Sequence, residues 1–565
     1  MYFLDRIKEK IVHDLELEAE NFSYPPQSEL GDISLACFEI SKKRGENPND
    51  TAIFLSEKAL KKNDLRKIFK EIKAVGPYLN FFLNKKYLAD GVIKEIKKDK
   101  GTYGHNAKGF GKKVMLEYSN ANTHKEYHVG HLRNLSYGAA VNNILLANGY
   151  ESMPVSYIND FGIHVAKTLW NWQAHPLYQN SSEDKGYLLG KCYSEASATL
   201  QENGDRQEEV AKIMKQIEGR DGETFELWKK TRQWSIDYFN KIYEELDIKF
   251  LDIFYESEIV EEGFKMVQGL LEDGILKKSE GAIIADLDEH DLGVLPIIRS
   301  DGTALYPVAD LALAASKFTK YNLDESIYIV DVRQSLYFKQ LFKILELAGY
   351  RQKLKHLSYD FVTLPSGMMS SRTGNVITYE DLKSKLLEMI TAETRKRHED
   401  WTDGRVVQVA KHLMVSIIKF EMLKVGADKV ITFNIEEASK FEGQTACYLQ
   451  YAYARAKSII RKQGFDLFSF NLHLSELKEE KEKQLLLKLA KYPETISISG
   501  KEYDPSNLTK YLFELTQMFN DYYHEFNVLK SENKIKKARL ALIKSIAQVL
   551  ESGFNILGLK IIEEM

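Results

Sequence analysis

Apolar positions along this chain change rhythm from one stretch to the next, and the changes predict its layout. Near Met1 to Glu20 and near Ala52 to Lys62 they recur at helical spacing, while Pro77 to Leu83 alternates like a strand. Pro25, Pro26, Gly31 and Asp32 punctuate the loop between the two helices. Residues 1–85 therefore read as a small α+β module. From Lys113 the pattern becomes strand (Val114, Met115, Leu116), polar loop, then a long helix opened by His128-Val129-Gly130-His131. Pro154 to Ile158 is strand-like, and residues 165–283 turn aromatic, acidic and helical. Strand and helix signals then alternate: strand Val294 to Ile298, helix Val308 to Phe318, strand Ser326 to Val330, helix Leu336 to Ala348, strand Tyr359 to Leu364. That alternation predicts an α/β fold with a doubly wound, parallel, Rossmann-like sheet over residues 86–381, interrupted by an insertion at about 165–283. Beyond Leu382 strand signals nearly vanish, so residues 382–565 read as a connector and an all-α bundle.

Composition sets the outer bounds. A chain of 565 residues is long enough for several cores, and 44% apolar with 28% charged residues describes a soluble protein. No uninterrupted apolar run approaches the roughly 18 to 20 residues of a bilayer span. The N-terminus turns charged at Asp5 and Arg6 without a signal-peptide core. Cys37, Cys192 and Cys447 lie far apart, which supports neither a disulfide framework nor a cysteine zinc site. The expectation is a cytoplasmic protein without a membrane. A net charge of −4 does not announce a nucleic-acid binder. Local patches, Lys97 to Lys113 against Glu244 to Glu262, are equally compatible with a polyanion along one side and with solvated helix faces.

The chemistry concentrates after the Lys113 strand. Strand, loop and helix start in that order build an anion site, because backbone N–H groups at a helix N-terminus lack partners. Gly130 lets a flat ligand approach the backbone. His128 and His131, three residues apart, face one way and can both donate to phosphate oxygens. The same spacing also suits metal ligands or ordinary surface residues. Gly109-Phe110-Gly111-Lys112 is not a phosphate loop, since it precedes a strand instead of following one. A second loop, Pro365 to Asn375, sets hydroxyl and amide side chains and Arg372 between two glycines, as a segment closing over phosphates would.

His128-Val129-Gly130-His131 resembles the first signature of class I aminoacyl-tRNA synthetases, and Glu117 to Arg133 as a whole resembles the arginyl-tRNA synthetases. Gly31-Asp32-Ile33-Ser34 and Gly76 to Asn80 are similar to that family's N-terminal domain, and Thr445 to Ala456, Phe519 to His524 and Leu557 to Met565 to its anticodon-binding bundle. The resemblance implies an ATP-dependent ligase that forms arginyl-adenylate from L-arginine, ATP and Mg²⁺ and charges tRNA(Arg), as a monomer. It assigns His128, Gly130, His131, Met369, Ser370 and Ser371 to ATP. It assigns Asp310 and Glu117 to the guanidinium, Tyr306 to contact with it, and Ser119, Asn122 and Gln334 to the α-amino end. Tyr448, Tyr451 and Arg455 supply stacking and charge for single-stranded tRNA, with Leu449 and Ala452 on the core side of that helix.

One departure stands out. The second class I signature, Lys-Met-Ser-Lys-Ser, is matched with Met368 and Ser371 where its lysines belong and Arg372 at its final serine. The resemblance offers Lys125 as the replacement cation, with Arg372 as a second. The missing lysines also motivate a rival reading, a catalytically dead RNA- or arginine-binding paralogue. A synthetase for another amino acid is a further alternative. A site that pairs a charged, multiply bonded side chain discriminates by about 10⁴ to 10⁵ without editing, so the insertion is not expected to proofread.

Overall fold

The computed structural model describes residues 1–18, 22–202, 206–365, 367–368, 376–463 and 472–565. The N-terminal module is a four-stranded antiparallel sheet, in the order Phe22–Ser23, Ile33–Ala36, Tyr78–Leu83, Phe69–Val75. Helices Phe3–Leu15 and Pro48–Leu60 bury Ile7, Ile11, Ala52 and Leu55 in its core. Pro48 fits the first turn of its helix, and Asn47 caps it by accepting from the Asn49 N–H at 2.9 Å. The lysine-rich stretch that follows begins as a helix, Lys85–Asp99, capped by Asn84 and burying Leu88, Val92 and Ile96. Those apolar residues at helical spacing were obscured by the lysines between them. Asp32 ties this module to the C-terminal bundle, accepting from the Leu83 N–H at 2.7 Å and pairing with the buried Lys483 at 2.7 Å.

Five parallel strands form the central sheet in the order Lys353–Tyr359, Glu325–Asp331, Lys113–Glu117, Glu151–Ile158, Asp252–Tyr255. The Lys113 strand is first in sequence and central in space. Chain order therefore reverses between it and Glu325–Asp331, and a doubly wound sheet opens a ligand crevice at the carboxyl ends of those two strands. Strand alternation divides the faces: Val114, Leu116, Ile327 and Ile329 face one core, Met115 and Tyr328 the other. On the first face lies helix Val129–Ala147, buried nearly all round between the sheet and helices Asp403–Leu423 and Asn533–Leu557. On the second lie helices Tyr306–Tyr321 and Ser335–Leu347. Arg133, 1% exposed, fastens the Val129 helix to the connector by donating to the carbonyls of Met422 and Gly426.

Three elements differ from the reading of the sequence. The strand read at Tyr359 to Leu364 is split: Lys353–Tyr359 is the strand of the parallel sheet, and Val362–Leu364 lies in a separate small sheet with Gly367–Met368 and Ile431–Thr432. Val294–Ile298 is not in the parallel sheet but pairs antiparallel with Ala282–Asp286, in a three-stranded sheet completed by Lys277–Ser279. The connections between these strands are too short for the crossover that parallel pairing requires. Conversely, the stretch 165–283 is not wholly insertion, because Asp252–Tyr255 pairs in parallel with Glu151–Ile158 as an edge strand of the central sheet. Its four residues carry too little periodicity to register among helices. The inserted helices Ile163–Ala174, Lys185–Glu202, Gln207–Glu218 and Gly222–Glu245 pack around Val165, Leu169, Ile213 and Trp228. Near the C-terminus, Asn533–Leu557 is long and apolar enough to cross a membrane, and 78% of its most apolar window is buried within the protein.

Candidate active site

The loop after Glu117 turns sharply. Ser119 adopts φ +60°, its N–H donates to Asn134 Oδ1, and Asn134 Nδ2 donates to the Ile329 carbonyl at 2.6 Å. Asn134 thus ties the two strands at the switch point to the helix between them. The chain then runs to His128, which caps helix Val129–Ala147. His128 Nδ1 accepts from the Gly130 N–H at 3.1 Å, and His131 Nδ1 accepts from the His128 N–H at 3.1 Å. The two rings lie 3.9 Å apart between centroids.

This arrangement corrects one expectation. The first N–H groups of the helix are not left open for an anion, since Gly130 and His128 donate to imidazoles and Val129 to the Ile377 carbonyl at 3.2 Å. An Nδ1 that accepts leaves the ring proton on Nε2, so each histidine offers an Nε2–H donor to a ligand. Both rings are neutral at pH 7: burial, then the Lys125 ammonium, lowers His128 to about 4. Burial, His128 and Lys125 hold His131 well below the usual imidazole range. Ser119, Gly130, both histidines, Asp331 and Arg333 line a cavity of about 320 Å³ at the switch point. Arg333, absent from the sequence reading, lies across the cleft, its guanidinium forked on Asp331 at 2.7 and 2.9 Å and largely solvent-exposed.

The flanks of the second loop border the same cavity. Its upstream flank supplies Phe361 and Val362 to the lining, and its downstream flank pairs His128 with Thr378 and Tyr127 with Tyr379 at 2.7 Å. Met369, Ser370, Ser371 and Arg372 lie outside the described residues. Lys125 lines an adjoining cavity of about 890 Å³ with His164, Lys167, Tyr193 and Tyr306, its ammonium 5.1 Å from the Tyr193 ring centroid.

On the other face of the central strand lies a buried cluster of acids and tyrosines. Glu117, 2% exposed, forms an ion pair with Lys317, 0% exposed, and accepts from Asn120 Nδ2 at 3.0 Å. Asp310, one turn into helix Tyr306–Tyr321, accepts from the Tyr337 hydroxyl. Burial, reinforced by Glu117, raises Asp310 to about 7. Glu256 is raised to about 7, again by burial, with Asp310 and Asp160 adding to the effect, and accepts from Asn159 Nδ2 at 3.0 Å. The Tyr157 hydroxyl is buried without a hydrogen-bond partner among the described residues. Tyr306, 62% exposed, opens helix Tyr306–Tyr321 and lines the Lys125 cavity. Of the residues assigned to the α-amino end, Ser119 has its hydroxyl 3.2 Å from that of Tyr127 and 2.9 Å from that of Tyr243. Asn122 bridges to Asn159, and Gln334 is exposed at the start of helix Ser335–Leu347. Lys317, Tyr337 and Glu256 were not assigned roles from sequence; the seven-residue spacing of Asp310 and Lys317, two helical turns on one face, was the available signal.

Comparison with known proteins accounts for this geometry. Residues 92–433 match the family described as tRNA synthetases class I (R), catalytic domain; residues 3–83 match the arginyl tRNA synthetase N terminal domain, and 449–565 the DALR anticodon binding domain. The arginine--tRNA ligase of Bdellovibrio bacteriovorus is 33% identical over 551 residues, 96% of this chain and 93% of the relative. That of Clostridium perfringens is 31% identical over 564 residues, 99% of each. The chain belongs to the arginyl-tRNA synthetases.

The solved Thermus thermophilus arginyl-tRNA synthetase superposes with a TM-score of 0.84 at 25% identity, covering 99% of this chain and 100% of that one. The Plasmodium falciparum arginyl-tRNA synthetase shares the fold, with a TM-score of 0.78 at 22% identity, over 99% of each chain. As a class I synthetase the chain places its nucleotide-binding signature on the switch point of the parallel sheet. In its anticodon-binding domain, Tyr451 and Arg455 line a cavity of about 670 Å³ with Trp401, Tyr523, His524 and Phe526. Arg455 sits 4.8 Å from the Tyr451 ring centroid and 4.6 Å from that of Tyr523, and donates to Asn520 Oδ1 at 2.8 Å. Tyr448 is outside this cavity, its ring packed 5.8 Å from Phe513. Leu449 and Ala452 are fully buried.

Proposed function

We propose that these cavities divide the work of an ATP-dependent arginine–tRNA ligase of translation, which activates L-arginine as arginyl-adenylate and transfers it to tRNA(Arg). ATP lies in the histidine cavity and arginine against the acid–tyrosine cluster beside it. In the first step an arginine carboxylate oxygen attacks the α-phosphorus, the bond to the bridging oxygen breaks, and pyrophosphate leaves. In the second a ribose hydroxyl of the tRNA end attacks the arginyl carbonyl and AMP departs. No covalent enzyme intermediate is needed, so the protein acts by positioning and charge neutralisation. The observation that carries the reading is the pinned imidazole pair: with each Nδ1 engaged by the backbone, two Nε2–H donors are preset for phosphate oxygens.

Lys125 supplies a cation beside those histidines, Arg333 is the candidate on the opposite wall, and Arg372 is a further candidate cation from the second loop. Mg²⁺, when bound with ATP, neutralises phosphate charge. Asp310 and Glu117 receive the guanidinium, Tyr306 closes over it, and Ser119, Asn122 and Gln334 face the α-amino end. Tyr451 and Arg455 hold an unstacked anticodon base, with Tyr448 supporting the helix from behind. The enzyme works as a cytoplasmic monomer, which sedimentation of the full chain tests. Charging of total tRNA with each of the amino acids tests the function itself. Arginine alone should be esterified; charging of another amino acid, or tRNA binding without charging, overturns the proposal.

A further inference from the structure

The carboxylate of Glu117, assigned to the substrate guanidinium, already has a cation on it. Lys317 is 0% exposed and its ammonium pairs with Glu117, itself 2% exposed, while lying 5.0 Å from the ring centroid of Tyr328 and 5.4 Å from that of Phe254. Lys317 and Asp310 project from one face of the same helix, so the internal ammonium and the free acid lie along one side of the acid–tyrosine cluster. An ammonium removed from water stays only where its charge and hydrogens are matched, and here a carboxylate and two aromatic faces match them. Without it, Glu117, Asp310 and Glu256 would crowd three carboxylates into one buried space, which protons or any cation would fill.

We propose that Lys317 is a positioning residue for arginine recognition: it cancels the charge of Glu117 and fixes its orientation, so that the guanidinium meets Asp310 as its charged partner and Glu117 as an immobile second acceptor. This rests on the placement of arginine between Asp310 and Glu117 given above. The groups facing Asp310 are Glu117 from the central strand, Tyr157 and Tyr328 from the neighbouring strands, Glu256, Tyr337, and Tyr306 and Lys317 on its own helix. Among these Lys317 is the cation that lowers Asp310. Its removal therefore moves Asp310 further up and makes arginine binding fail at a higher pH.

Aminoacylation by the full chain, with KM for arginine and for ATP measured from pH 6 to 9, decides the matter. Lys317→Met should raise the arginine KM at pH 7 by roughly fivefold, because fewer Asp310 carboxyls stay ionised, and shift its pH dependence upward while the ATP KM holds. Lys317→Arg should restore both. Should Lys317→Met fail to fold, the Glu117→Gln/Lys317→Met double variant, which leaves no unpaired charge, should bind arginine weakly yet keep the wild-type pH dependence. An unchanged arginine KM and pH profile in the single variant, an equal rise in the ATP KM, or a double variant with wild-type arginine KM would overturn the inference. Absence of arginine charging by the unaltered chain would instead overturn the proposed function.

Discussion

On one face of the central strand polar side chains are held by the backbone; on the other they are held by one another. His128 and His131 spend one nitrogen each on helix N–H groups and remain neutral, lowered chiefly by burial. Glu117, Lys317, Asp310, Tyr337 and Glu256 have few backbone partners and rely on mutual pairing, so their charges depend on occupancy. The difference suits the two ligands. A triphosphate brings its own charge and needs fixed donors, whereas a guanidinium needs a charge kept ready in the protein. It follows that the histidine face should tolerate changes of pH and the acid face should not.

The largest test of that contrast is removal of a preset donor. His131→Ala should lower kcat by about 10² to 10³, as loss of an oriented transition-state donor does, with the arginine KM changed little. Asp310→Asn should do the reverse, cutting kcat/KM for arginine by about 10² through the loss of a buried charged partner while the ATP KM stays put. Tyr451→Ala should raise the KM for tRNA about tenfold, the size of one lost base stack, and leave both small-substrate constants alone. The smallest effect is pH itself. Asp310 and Glu256, both raised to about 7, take up protons as pH falls through that value, so the arginine KM should rise below pH 7 while the ATP KM stays flat to below pH 5. The sign for stability is opposite. Acids raised on folding add stability that is complete below their unfolded value near 4 and lost as pH rises through about 7, so unliganded protein should melt earlier at pH 8 than at pH 6 on their account. Thermal melts with and without arginine check it.

Much of the catalytic fold was legible because its elements are long and its periodicities distinct. Helix Tyr306–Tyr321 and strand Glu325–Asp331 fall within three residues of their reading from apolar spacing. Short elements were not: Asp252–Tyr255 has four residues, and Val294–Ile298 looks the same whether its partner runs parallel or antiparallel. In the site, the histidine pair was readable as a local motif, but what its backbone neighbours do was not. Tautomer and charge depend on which N–H each Nδ1 meets, and the cap reverses the expectation of open backbone donors.

By itself the order of residues determined the family, the succession of module, sheet and bundle, and which side chains are proposed to meet ATP and arginine. These follow from local spacing and from motifs contiguous in the chain. Only the tertiary structure decided that Lys317 reaches Glu117 across 200 residues, that Arg333 stands opposite the histidines, and that Tyr448 leaves the cavity shared by Tyr451 and Arg455. Such pairings depend on which strands adjoin and how far a residue is removed from water, and neither is a property of any one segment of the chain.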